Sequence, residues 1–146
     1  MNKWIIAGVL ALTSLPALAE QQLLQSQPAP AGARAYIISP VDGEKVTGPV
    51  HVRFGLAGMG VAPAGVEYPE AGHHHLLVNA EQLPPANLPI PADERHRHFG
   101  KGQTETLLEL PPGEYTLQLL LGDHLHIPHN PPVASEKIRI TVVKEE

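Results

Sequence analysis

Proline punctuates this chain at intervals that leave little room for helices. There are sixteen in 146 residues, and all but Pro16 fall after residue 19. Each lacks a backbone N–H and clashes with a preceding helical turn, so a dense series selects short extended runs joined by turns. The apolar residues agree with that choice. Val50, Val52 and Phe54 alternate with His51, Arg53 and Gly55, the two-residue period of a half-buried strand. Tyr115, Leu117, Leu119 and Leu121 share one face of Glu114–Leu121, and Ile138, Ile140 and Val142 alternate with Lys137, Arg139 and Thr141. Ala35–Ile38, His73–Asn79 and the weaker Gln103–Leu110 complete the set. Turns such as Pro40-Val41-Asp42-Gly43 and Pro111-Pro112-Gly113 separate these runs. No run carries a helical period. The expected fold is all-β, an antiparallel immunoglobulin-like β-sandwich of about seven strands. Tyr115, just after the Pro-Pro-Gly turn, stands where such sandwiches place a tyrosine corner. A cupin-like barrel is the alternative, but the chain lacks its usual acidic-ligand spacing and its lone late histidine.

Residues 1–19 read as a secretory signal peptide. Lys3 precedes an apolar run from Trp4 to Leu15, and Ala17-Leu18-Ala19 supplies a small-residue cleavage site. The stretch from Trp4 to Ala19 is shorter than the ~20 residues that span a bilayer, and Pro16 interrupts it. A periplasmic or secreted protein with no membrane anchor after cleavage is therefore expected. Residues 20–32, rich in Gln, Pro and Ala, are expected to form a flexible leader, and residues 33–146 the folded domain.

Charge and cysteine content narrow the chemistry. Ten Lys and Arg stand against fifteen Asp and Glu, a formal charge of −5 that becomes −6 once Lys3 is removed. Nucleic acid and anionic lipid both require a basic surface, so neither is an expected partner. The absence of cysteine excludes disulfides, thiolate zinc sites, iron–sulfur clusters and thiol catalysis.

Nine histidines are the anomaly. Eight fall in three words: Gly72-His73-His74-His75, His96-Arg97-His98-Phe99-Gly100, and Asp123-His124-Leu125-His126-Ile127-Pro128-His129. Each word contains a His-x-His pair, which an extended strand presents on one face. Neutral imidazole is the commonest metal ligand, and two such rings about 6–7 Å apart can share an ion when others close the shell. In a sandwich whose Val50–Leu56 strand runs upward, strand direction brings all three words to the top. His51 goes to the opposite end and reads as an ordinary exposed histidine. The candidate ligands are His73, His75, His98, His124, His126 and His129. His74, which shares a face with Leu76 and Val78, is expected behind them with His96, Gln103, Glu105 and Asp123, orienting the imidazoles. The Pro-rich stretch Leu83–Ala92 reads as a stiff surface connection.

The words Gly-Met-Gly-Val-Ala-Pro-Ala-Gly (58–65), Gly-His-His-His-Leu-Leu (72–77), His-Phe-Gly-Lys-Gly-Gln-Thr-Glu (98–105) and Leu-Leu-Gly-Asp-His-Leu-His-Ile-Pro-His (120–129) resemble a bacterial family of secreted proteins, domain-of-unknown-function family 4399. The resemblance runs from about Arg34 to Val143 and implies a secreted His-rich domain, with no established activity to carry over. A looser similarity is to periplasmic copper-binding sandwiches. Those often add methionine ligands, whereas Met59 is the only methionine after residue 19.

Three functions are open at this point. The first is a binding protein for a divalent transition metal, copper or zinc, with the metal ion as its partner and no protein partner indicated. The second is a metalloenzyme in which three histidines hold the metal and leave a position for water. The third is a partner-binding or pH-sensing sandwich without metal. Affinity for metal is expected to fall as pH drops through about 6.5, the ordinary histidine value.

Overall fold

The computed structural model describes residues 25–145, so the expected signal peptide, residues 1–19, lies outside the described residues. Nine strands and no helix are present among them: β1 (Arg34–Ser39), β2 (Lys45–Thr47), β3 (Val50–Ala57), β4 (Gly60–Val61), β5 (Ala71–Val78), β6 (His96–His98), β7 (Glu105–Leu108), β8 (Gly113–Gly122) and β9 (Ile138–Val143). The six apolar runs read from the sequence all become strands. β2, β4 and β6 are two or three residues long and too short to show a period.

The strands form two sheets, one of three strands in the order β1-β3-β7 and one of six. The larger runs β2-β9-β8-β5-β4, with β6 also paired to β5. Two pairings depart from a purely antiparallel sandwich. β2 lies parallel to β9, and β4 parallel to β5. The turn before β2 carries the chain across from β1 to the larger sheet, where Asp42 accepts the Arg139 N–H at 2.8 Å and Gly43 N–H donates to the Arg139 carbonyl at 2.7 Å.

The core lies between the sheets. Val50, Val52 and Phe54 of β3 meet Leu76 and Val78 of β5, Leu117, Leu119 and Leu121 of β8, and Ile140 and Val142 of β9. These are the alternating positions of each strand, as burial of one face requires. The Tyr115 hydroxyl donates to the Pro111 carbonyl at 2.7 Å, four residues upstream, which is the bond of a tyrosine corner.

β5 is paired on both sides, and all eight of its residues are buried. Its inward residues are His74, Leu76 and Val78. Its outward residues His73, His75 and Leu77 would face solvent in a bare sandwich, but loops cover them. Ile90, from the Pro-rich stretch, joins Leu77, Ala80 and Leu120 in a second, smaller apolar cluster on that outer face. The expected leader also departs from a flexible tail over Gln27–Ala29. Ala29 N–H donates to the Asn130 carbonyl and Asn130 N–H to that of Gln27, each at 2.9 Å. Pro28 has no donor to give, so the segment is held by the Ala29 N–H and the Gln27 carbonyl.

Candidate metal centre

The outer face of β5 builds the site. His73 and His75 are two residues apart on one strand and so point the same way. His98 of β6 lies directly opposite His75 across the antiparallel pair, and Gly122 of β8 lies directly opposite His73. Glycine at that position leaves space. A Cβ on Gly122 would come within 2.8 Å of His75 Cε1 and 3.3 Å of the His126 Cα. The chain then turns immediately after β8 and brings His126 over the gap.

That turn is held by its own residues. The buried Asp123 carboxylate accepts the N–H groups of Leu125 and Ile127 at 2.8 and 2.9 Å, and its backbone carbonyl accepts that of His126 at 2.9 Å. Ile127 is fully buried and anchors the far side. From outside, Ile90 N–H donates to the His126 carbonyl at 2.8 Å and Gly65 N–H to the His124 carbonyl at 3.0 Å. His126 is fixed with φ at 69°, a left-handed conformation that costs a non-glycine residue about 1–3 kcal/mol and persists only where surrounding contacts impose it.

Four imidazoles therefore gather. Ring centres lie 4.7 Å apart for His73 and His75, 5.0 Å for His73 and His98, 4.9 Å for His73 and His126, and 4.8 Å for His98 and His126. His75 is 5.2 Å from His98 and 6.0 Å from His126. His73, His98 and His126 each offer a ring nitrogen within 4.8 Å of the others, a group that could hold a metal ion. His73 and His75 form the buried floor, His126 is half-buried and His98 exposed, so the group opens to solvent on one side.

The electrostatics favour neutral rings. Burial, followed by the neighbouring rings of His126, His98, His74 and His129, pushes His73 down from 6.5 to about 4. Burial and then His73, His98 and His126 push His75 to about 3. His98 is lowered by burial and by His126. Both nitrogens of His73 and of His75 are buried without a hydrogen-bond partner, an arrangement that native proteins rarely tolerate and that costs about 1–3 kcal/mol per group. A lone-pair acceptor such as a metal ion would satisfy one nitrogen of each ring.

The other expected site residues lie elsewhere. His124 turns away, with Nδ1 at 3.4 Å from the Gln27 side-chain nitrogen. The His-x-His rule fails for this word because it occupies a turn, where residues two apart no longer share a face. His129 is buried with both nitrogens unpartnered, its ring edge 3.0 Å from where a Cβ on Gly72 would stand. Burial lowers its pKa, while Asp123 and the carbonyls of Leu121 and Ala71 act in the opposite direction. His74 packs on Phe54 with ring centres 5.2 Å apart, on the core side of the sheet, and burial pushes it to about 4. His96 gives Nδ1 to Asp93 at 2.8 Å, a bond that holds the Asp93 carboxyl below its ordinary range. Glu105 sits opposite Arg53 and pairs with His51 at 3.0 Å, and Gln103 accepts the Lys101 N–H at 2.8 Å. Neither orients an imidazole of the group. Asp123 does so indirectly, through the backbone it organises. The sequence reading missed Gly122, Gly100 and Ile90. A Cβ on Gly100 would overlap the His98 ring at 2.3 Å, and the available signal was a glycine just before the first and third His words, Gly72 and Gly122, and at the end of the second.

Residues 52–143 match the family model described as Domain of unknown function (DUF4399). The chain belongs to the DUF4399 family. The matched region of this family member contains all four gathered histidines, together with Gly100, Gly122 and Asp123. No curated protein matches the chain. Among solved structures, the endo-β-1,4-mannanase from Thermotoga petrophila is similar at 20% identity and a TM-score of 0.44, over 77% of this chain. The chain spans only 20% of the length of that protein.

Proposed function

We propose that this protein is a periplasmic or secreted binding protein for a divalent transition metal, copper or zinc, which it captures through His73, His98 and His126. The observation that carries this reading is the meeting of three ring nitrogens, from three separate elements, within 4.8 Å of one another. The donor chemistry supports it. A set made of imidazoles without thiolate or carboxylate suits Zn(II) or Cu(II) and is poor for Mg(II) and Ca(II), which require oxygen. The depressed pKa of His73 adds a functional consequence, because protons compete for this ring only near pH 4, well below the ordinary histidine value.

Capture and release are favoured over turnover. Glu105 and Asp123, the carboxylates expected beside the histidines, are engaged with His51 and with backbone N–H groups, so neither is offered to a bound water. The test is the metal content of untagged protein isolated from the periplasmic fraction or the medium. One equivalent of zinc or copper is expected, removable by a chelator and restored by dialysis against the metal. Protein that retains neither metal and cannot be reloaded would overturn the reading.

A further inference from the structure

We propose that His75 is a fourth ligand and that the four rings make a closed, near-tetrahedral site of the kind Zn(II) takes, leaving no position for a reacting water. This rests on the metal-binding reading above and extends it to coordination number and geometry.

The ring spacings carry the argument. With a metal about 2.1 Å from each nitrogen, each ring centre lies about 3.2 Å from the ion, and four tetrahedral rings are then mutually about 5.2 Å apart. A square-planar set, the preference of Cu(II), instead has four separations of about 4.5 Å and two opposed ones of about 6.4 Å. The six observed separations are 4.7, 4.8, 4.9, 5.0, 5.2 and 6.0 Å. Only His75 and His126 are far apart. The pair that would have to form the other diagonal, His73 and His98, is 5.0 Å apart. The set is a tetrahedron stretched along one edge.

His75 also has the right chemistry to join. Both its nitrogens are buried and without partners, and its ring lies in the space that the missing Cβ of Gly122 leaves. Its nitrogens are not among the three within 4.8 Å of one another, so the ring turns toward them on binding. Zn(II) has no d-electron preference that would resist this shape, and four nitrogen or sulfur ligands close its shell in sites that bind without catalysis. Cu(II) in the same place would be held away from its square plane.

X-ray absorption on the untagged zinc-loaded protein counts imidazoles directly, and four around zinc are expected. With Co(II) as the probe, the intense visible bands of a four-coordinate ion should appear. His75→Ala should shift and weaken those bands, as oxygen replaces the fourth ring, and weaken Zn(II) at least about 100-fold, beyond the roughly 10–100-fold that loss of a merely orienting partner costs. His129→Ala, which removes an equally buried ring outside the group, should keep the bands. Three imidazoles plus oxygen in the wild type, or unchanged Co(II) bands in His75→Ala, would overturn the fourth ligand while leaving metal binding intact. If His75→Ala fails to fold, the imidazole count of the wild type still decides. Failure of the wild type to take up either ion would instead remove the metal reading itself, and this proposal with it.

Discussion

One glycine shows how tightly a single residue defines the group. Gly122 is the residue facing His73, and anything larger would occupy the space where His75 and His126 meet. Gly122→Ala should therefore lower metal affinity and destabilise the fold by about 1–3 kcal/mol, the usual consequence of overpacking. Calorimetric titration and chemical denaturation of the variant would check both. Protonation is the other effect at this scale. In the unfolded chain His73, His74 and His75 take up protons near 6.5, whereas in the folded protein burial holds His73 and His74 near 4 and His75 near 3. Between those limits the unfolded state binds more protons, so stability falls as pH falls. The metal-free protein should show a lower denaturant midpoint at pH 5 than at pH 7.5, and an unchanged or higher midpoint would count against the buried, neutral rings. For the same reason, proton competition at His73 and His75 is displaced well below the pH of about 6.5 expected from the unperturbed value. Proton release on metal binding at pH 6 should accordingly contain no contribution from these two rings, as comparing the wild type with His73→Ala in buffers of different ionisation enthalpy would report.

At the level of elements, β5 and the turn after β8 divide the work. β5 supplies two rings by simple alternation, and this much was legible in the residues. His73, His75 and Leu77 were expected on one face and His74, Leu76 and Val78 on the other, and the inner set does meet the core. Strand direction alone also brings the 73–75, 96–98 and 124–129 words toward one another. What alternation could not choose was the ring within the third word. His126 is selected over His124 because Asp123 closes a turn in which His126 takes a positive φ, and a period-of-two argument has no hold on a turn. Glu105 was misplaced for a related reason. Distance along the chain sets it near the histidines, but register sets it opposite Arg53 with His51 beside it. Asp123→Ala should thus weaken metal binding about 10–100-fold although the residue is not a ligand, and it removes two buried acceptor contacts at a cost of about 1–3 kcal/mol. Asp123→Asn, which keeps one side-chain oxygen for the Leu125 and Ile127 N–H groups, should recover much of the loss. Equal defects in the two variants would contradict the role given to the turn.

The whole molecule places this group on the outside of its larger sheet rather than in the core between the sheets. The core, with Phe54, Leu76, Leu119 and Ile140 among its members, is apolar and complete without metal. The protein should therefore fold in its absence, unlike a domain whose only core is its metal site. Binding to the folded state alone should still raise the melting temperature, since an ion at 100 times its Kd adds about 2.7 kcal/mol. Three words scattered over some fifty residues thereby act as one group, and they do so because β5, β6 and β8 are neighbours in a single sheet. That claim is tested most directly by titrating Zn(II) calorimetrically into the untagged wild type, the His73→Ala/His126→Ala double variant and His51→Ala. The wild type and His51→Ala should bind one ion per chain with the same affinity, and the double variant should lose that binding. Should the double variant bind zinc as the wild type does, or His51→Ala lose as much as the double variant, the shared centre does not exist.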